Sequence, residues 1–274
     1  MFTISGFADE ISTKLDEQIA EVKNLGINYI ELRSIFEKNV SEFTDAEAMG
    51  FKKAFDESGL KVSAIGSPIG KIKITDPFEP HLEKFSRVLR MADIFETPLI
   101  RLFSFYLPDN ESHAEHRPEV LRRMAALRER ASAAGRVICL ENEAKIYGEA
   151  PKHCLDLLQS LEHPDFRMAF DFANFTLEGH DTREAWKSLS PYTHYFHIKD
   201  AFHKPWRIVP AGEGDGDLPG ILSQAMASGF SGYCSLEPHL HEFDRNGGFS
   251  GLSNFALAHQ ALVKVFQKIG ADYA

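Results

Sequence analysis

Four residues carry most of the chemistry this sequence offers. Glu141 ends the run "VICLE", Asp171 ends "RMAFD", His197 lies in "HYFHIKD" and Glu237 ends "YCSLE". Each ends or follows a short apolar run, and each belongs to a different run. Three carboxylates brought together without a positive charge would repel one another and raise their own proton affinities. A divalent cation removes that conflict. Three carboxylates and one imidazole suit a hard-to-borderline ion: Mn²⁺, Mg²⁺, Co²⁺ or Zn²⁺. Read singly, each has a blander role as a solvated loop acid, a helix N-cap or a hydrogen-bonded core histidine. Their joint delivery by consecutive strands is what argues for one bound metal ion.

The elements that would position them recur along the chain. Short β-type runs cover residues 2–7, 28–32, 61–65, 99–103, 137–140, 167–170, 195–198 and 233–236. Amphipathic helical segments separate them. Leu15, Ile19, Val22 and Leu25 repeat at helical spacing until Gly26. Thr44 and Glu47 read as a capping box for a helix ending at Gly59. Further helices are expected over 80–95, 118–134, 152–161, 181–189, 218–228 and 252–269. Strand–helix alternation implies parallel strands with right-handed crossovers. Eight such units predict a (β/α)8 TIM barrel, a single α/β domain over 1–274. Short apolar strands fit a sheet covered by helices. A doubly wound sheet would want a glycine-rich nucleotide turn early on, and "SGFADE" after the first strand has no GxGxxG. Barrel chemistry sits at the C-terminal strand ends, where all four residues fall.

Composition narrows the function classes. The 274 residues are 43% hydrophobic, enough for one large core. A net charge of −10 argues against nucleic acid, which needs a clustered basic surface. No apolar run is long enough to span a bilayer. "MFTISGFADE" has neither a basic n-region nor a long apolar h-region, so a cytoplasmic protein is expected. Cys139, Cys154 and Cys234 are odd in number and lack CxxC spacing. Two of them fall in expected strands and read as small buried apolar residues.

The other strand ends supply auxiliary groups. The first four deliver Phe7 and Asp9, Glu31 and Arg33, Ser67 and Lys71, then Arg101 and Ser104 to Tyr106. Lys71, Lys199, Arg207 and Arg101 are candidates for holding substrate oxygens, with structural salt bridges as the competing reading. For Lys199 the partner of that bridge would be Asp200. After Glu141, Asn142 points to the other side on strand alternation and supports the strand end, while Glu143 returns. Glu143 is either a substrate-hydroxyl group or a solvated loop acid. "GEGDGD" carries three acids that would repel an anion, so it reads as a turn rather than a phosphate loop. Phe7, Phe105, Tyr106, Phe175 and Trp206 are aromatic candidates for a pocket wall.

The motifs "YIELR", "LENE", "DFANF", "HIKD", "GEGDGDLPGIL" and "GYCSLEPHL" together give the chain a family resemblance over nearly its whole length. It resembles the sugar phosphate isomerase/epimerase group of xylose isomerase-like TIM barrels. That group includes ketose 3-epimerases, hydroxypyruvate isomerase, inosose dehydratase and 3-dehydroshikimate dehydratase, and is related to endonuclease IV. The resemblance implies that Glu141, Asp171, His197 and Glu237 hold one divalent metal, with Glu141 and Glu237 also the catalytic acid/base pair. The position three residues after the metal aspartate is often His in the family. Here it is Asn174, which can bind a substrate hydroxyl but cannot shuttle a proton. His203 or Arg207 takes the place of a downstream basic substrate-binding residue. A family glutamate beyond the strand-5 ligand corresponds to Glu143 or Glu149. Homo-oligomers formed through loops and outer helices are common among such barrels.

The expected function is a metal-dependent isomerase or epimerase of carbohydrate metabolism. Its substrate would be a small sugar, polyol or related hydroxy-ketone. A proton is abstracted, and the metal stabilises the enediolate. Two carboxylates on opposite sides of the metal allow return of the proton to the other face. The alternative in the same barrel is a dehydratase, in which the enolate expels a β-hydroxyl. A nuclease like endonuclease IV would want histidines on strands 3 and 4, where "GSPIGK" and "RLFSFY" have none. A non-catalytic ligand-binding barrel would have no need of the full ligand set.

Overall fold

The computed structural model describes residues 1–109, 111–240 and 250–274. Eight parallel strands form the main sheet: β1 (Phe2–Gly6), β2 (Tyr29–Leu32), β3 (Lys61–Gly66), β4 (Leu99–Leu102), β5 (Val137–Glu141), β6 (Phe166–Asp171), β7 (Thr193–Ile198) and β8 (Gly232–Leu236). Their hydrogen-bonded order is β1-β8-β7-β6-β5-β4-β3-β2. The sheet curls into a barrel whose seam lies between β1 and β2. The tail covers the free edge of β1: Ile4 N–H donates to Ala274 O at 2.7 Å, and Ala274 N–H donates to Phe2 O at 3.0 Å. A covered edge cannot template pairing with another chain.

The helices are α1 (Leu15–Asn24), α2 (Asp45–Ser58), α3 (Glu79–Ile94), α4 (His113–Ala133), α5 (Pro151–Ser160), α6 (Phe172–Leu177), α7 (Thr182–Leu189), α8 (Leu218–Ala227) and α9 (Gly251–Ile269). The capping box at Thr44 and Glu47 forms and starts α2. Helix α4 begins at His113, not at Pro118 as the sequence suggested. Ser112 and Glu115 make a second capping box, leaving Pro118 inside the helix. Helix α6 was not expected. Asp171 starts it by accepting the Asn174 N–H at 2.7 Å. Two short antiparallel pairs decorate the mouth: Ser34–Ile35 with Lys38–Asn39, and Asp200–Phe202 with Arg207–Val209.

Strand periodicity explains how this frame aims side chains. Alternate residues of a strand face opposite sides. On β5, Ile138 and Leu140 pack into the apolar layer beneath the helices, while Cys139 belongs to a separate cluster inside the barrel. Glu141 continues the inward set. The same rule turns Met168 and Phe170 outward on β6, with Ala169 inward and Asp171 following it. On β7, Phe196 and Ile198 are outward, Tyr195 is inward, and His197 follows. Apolar strands thereby present polar residues to the interior without exposing their outer faces. Within the barrel, Ala64, Leu99, Cys139, Ala169 and Tyr195 pack together at the lower end. A hydroxyl chain links Ser5 to Ser63 at 2.6 Å and Ser63 to Tyr195 at 2.8 Å. All three cysteines are buried and unpaired.

Candidate metal centre

Glu141, Asp171, His197 and Glu237 converge at the C-terminal end of the barrel. One ligand atom from each lies within 4.8 Å of the others, and all four residues are buried. Register explains the convergence: Asp171 pairs directly with His197 across β6 and β7. Glu141 pairs with Ala169, two residues before Asp171, across β5 and β6.

The donor set fits a divalent cation. Glu141 Oε2, Asp171 Oδ2 and His197 Nδ1 are buried and take no hydrogen bond among the described residues. Such atoms are costly unless something charged answers them. His197 Nδ1 stands 3.3 Å from Glu141 Oε1 and 3.6 Å from Glu237 Oε2. Its other nitrogen, Nε2, is 3.1 Å from Glu31 Oε2. Glu31 is itself buried. A carboxylate on one imidazole nitrogen fixes the ring and frees the other for a metal.

Cations already crowd the carboxylates. Arg101 Nε lies 3.1 Å from Glu141 Oε2. Lys199 Nζ lies 3.0 Å from Asp171 Oδ2 and 3.2 Å from Glu237 Oε2. Arg33 Nη1 donates to Glu237 Oε1 at 3.1 Å. Burial pushes Asp171 up to about 6, with Glu141 and Glu237 adding and Lys199 opposing. Glu237 goes the other way. Burial raises it, but Lys199, His239, His197 and Arg33 together hold it well below the usual carboxylate range. Burial would lower His197, yet Glu141 and Glu31 pull it well above the usual imidazole value. The three shifts have different causes: burial dominates at Asp171, surrounding cations at Glu237, and neighbouring carboxylates at His197.

The neighbouring residues are pinned. Asn142 and Asp171 exchange two hydrogen bonds, Asn142 Nδ2 to Asp171 O and Asp171 N–H to Asn142 Oδ1, both at 2.9 Å. Asn142 therefore ties β5 to β6, in keeping with a strand-end support. Asn174 Nδ2 donates to Glu141 Oε1 at 3.3 Å and to Asn142 O at 2.9 Å. Lys199 does not pair with Asp200. That carboxylate instead accepts N–H groups from Gly212, Gly214 and Gly216 at 2.9, 2.9 and 3.1 Å. "GEGDGD" is thus a turn wrapped on Asp200. A Cβ at Gly214 would stand 2.4 Å from Asp200 Oδ1, so glycine is required there.

A cavity of about 320 Å³ opens above the cluster. Glu141, Glu143, Lys71, Lys199 and Glu237 line it, with Arg33, Arg101, Phe103 and His239. Phe7 is buried below, its ring edge-on to His197 at 5.3 Å and under the Arg33 guanidinium at 4.5 Å. His203 and Arg207 are not brought to this cavity. They flank the turn of the antiparallel pair Asp200–Phe202 with Arg207–Val209, which folds them away. His203 Nδ1 meets Leu177 O at 3.2 Å, and Arg207 is exposed over the Phe202 ring. Phe105 is buried against Phe78 and His81, and Trp206 is exposed. Glu31 and Arg33 stood out only as strand-end residues in the sequence. The signal for their role was the inward phase of β2, in which they share a face two residues apart.

Comparison with known proteins agrees with this fold. The model for the xylose isomerase-like TIM barrel family matches residues 19–256. A curated relative, 3-dehydroshikimate dehydratase of Bacillus anthracis, is 23% identical over 129 residues, which are 47% of this chain and 46% of that enzyme. The matched stretch thus spans about half that relative's length. Among solved structures, IolI with a bound zinc atom superposes with a TM-score of 0.80 at 16% identity, covering 98% of this chain and 99% of the other. The 3-keto-D-glucoside 4-epimerase of E. coli gives 0.73 at 16%, covering 97% and 100%. At these identities the structural likenesses establish the fold. The chain belongs to the xylose isomerase-like TIM barrel family.

Proposed function

We propose that this chain is a divalent-metal-dependent isomerase or epimerase that removes the proton beside the carbonyl of a small sugar or related hydroxy-ketone. The observation that carries the reading is the set of buried, unsatisfied donor atoms on Glu141, Asp171 and His197, converging with Glu237 beneath a sugar-sized cavity. A bound divalent ion would supply Lewis-acid polarisation of the substrate carbonyl.

The chain's own residues do the rest. Glu141 and Glu237 come from β5 and β8 and approach His197 Nδ1 from separate strands. The ionised one takes the substrate proton, and the other, entering protonated, delivers its own proton to the opposite face or the adjacent carbon; the protons then re-equilibrate with solvent. Asn174 steadies Glu141 through Oε1. Arg101 beside Glu141 and Lys199 beside Glu237 favour the charged form of whichever carboxylate acts as the base. Phe103 gives the polar cavity an apolar side, and Phe7 packs beneath Arg33 without reaching the cavity. A second reading is dehydration, favoured by the 129-residue match to 3-dehydroshikimate dehydratase. It begins with the same abstraction and ends with loss of a β-hydroxyl.

The test is a panel of ketoses, ketose phosphates, inososes and cyclic keto acids incubated with Mn²⁺-loaded protein in D₂O. Deuterium should wash into one carbon of the true substrate. Glu141→Gln should slow that exchange by about 10²–10⁴-fold, the usual loss for a missing acid/base. Undiminished exchange in Glu141→Gln would overturn the assignment. A conjugated product absorbing in the ultraviolet would select dehydration.

A further inference from the structure

Two of the expected substrate-binding residues, Lys71 and Glu143, hold each other. Lys71 Nζ lies 2.9 Å from Glu143 Oε2 at the cavity rim. Both ends are built in place. Glu143 Oε1 accepts the Ala144 N–H at 2.9 Å, which turns Oε2 toward Lys71. The Lys71 ammonium also sits 4.2 Å over the Phe103 ring. Lys71 is delivered by a tight loop after β3. There Gly70 has φ +91°, and a Cβ would stand 2.1 Å from Phe103 O. Gly70 N–H donates to His81 Nε2 at 2.8 Å, and Phe105 N–H donates to Gly70 O at 3.0 Å. A rim ion pair adds little stability. Its consequence here is to leave the rim lysine without spare charge.

The same holds for each cation lining the cavity. Arg33 has Asp9 at 2.7 Å, Arg101 has Glu141 at 3.1 Å, and Lys199 has Asp171 at 3.0 Å. A phosphate ester brings about two negative charges at neutral pH and needs donors whose charge is not already answered. Among the described residues each lysine and arginine lining the cavity has a carboxylate partner, and for Lys71 and Arg33 that partner is not a candidate metal ligand at its shortest contact.

We propose that the Lys71–Glu143 pair is a specificity device that turns phosphorylated substrates away, so that the substrate is a hydroxy-ketone without a phosphate group. This rests on the cavity being the substrate site, as proposed above. Lys71 still donates to a neutral hydroxyl, because an ammonium has three N–H bonds and Glu143 takes one. Glu143 cancels its pull on a dianion.

The test uses inorganic phosphate as the probe, with binding followed by ³¹P NMR or calorimetry at low ionic strength. It is run on metal-free and Mg²⁺-loaded protein, so it does not depend on finding turnover. Glu143→Gln should bind phosphate at least about fivefold more tightly than wild type, the low-end value of one charge contact in water. The gain should vanish in the double variant Lys71→Met/Glu143→Gln. The exchanged pair Lys71→Glu/Glu143→Lys should behave as wild type, which controls for local disruption. Equal phosphate affinity in wild type and Glu143→Gln would overturn the proposal. So would a gain that survives loss of Lys71. Failure of the isomerase reading would instead show as absent deuterium exchange across the whole panel, with these affinities unaffected.

Discussion

The mouth of the barrel has two unlike halves. Strands β5 to β8 bring Glu141, Asp171, His197 and Glu237, three of which carry buried atoms without a hydrogen bond. Strands β1 to β4 and their loops bring Asp9, Glu31, Arg33, Lys71 and Arg101, each with an oppositely charged or imidazole partner. One half holds buried ligand atoms that no hydrogen bond satisfies among the described residues, and in the other each charged group has its partner. The difference separates binding from tuning. Unsatisfied buried donors persist where a ligand completes them, whereas satisfied networks set the orientation and charge of what binds.

That division can be broken experimentally. The larger effect belongs to Glu31, in the paired half, because its carboxylate holds His197 Nε2. Glu31→Gln should lower Mn²⁺ affinity by about 10–100-fold, the range for groups that orient metal-bound histidines. Isothermal titration measures it. An unchanged affinity would mean that β7 packing alone orients the ring. A smaller effect concerns His81, which is buried and accepts the Gly70 N–H in the loop that presents Lys71. Burial first, then Lys84 and Arg123, lower its pKa to about 4. In the unfolded chain a histidine titrates near 6.5, so there the unfolded state binds the proton first. The His81 contribution to stability is present above pH 6.5 and is lost as the pH falls toward about 4. Thermal unfolding across that window should show a shallower pH slope in His81→Gln than in wild type. Parallel slopes would contradict the assignment.

The same two halves differ in how legible they were in the sequence. The convergence of the four candidate ligands could be read because each ends or follows an apolar run, and strand alternation aims them inward together. The barrel followed from strand–helix alternation, and strand bounds shifted by only a residue or two. The tuning half was harder. The Glu31–His197 contact joins residues 166 apart, and nothing local in "YIELR" announces it. Lys71 and Glu143 read as separate substrate contacts, because their pairing depends on loops after β3 and β5 meeting at the rim. The segment after β7 misled for a related reason. Its basic residues suggested a substrate arm, but Asp200 anchors the glycine turn and the short strand pair carries His203 and Arg207 away from the cavity. The start of α4 is marked in the sequence by Ser112 and Glu115, a capping-box pair ahead of Pro118.

The central claim is that strands β5 to β8 build one divalent-cation site. Its most direct measurement is a calorimetric titration of Mn²⁺ into metal-stripped wild-type protein and Asp171→Asn. The account predicts one ion per chain in wild type, and a loss in Asp171→Asn exceeding the roughly 100-fold upper range for groups that only orient a ligand. Saturable binding that is equally tight in both proteins, or no binding by the wild type, would contradict it.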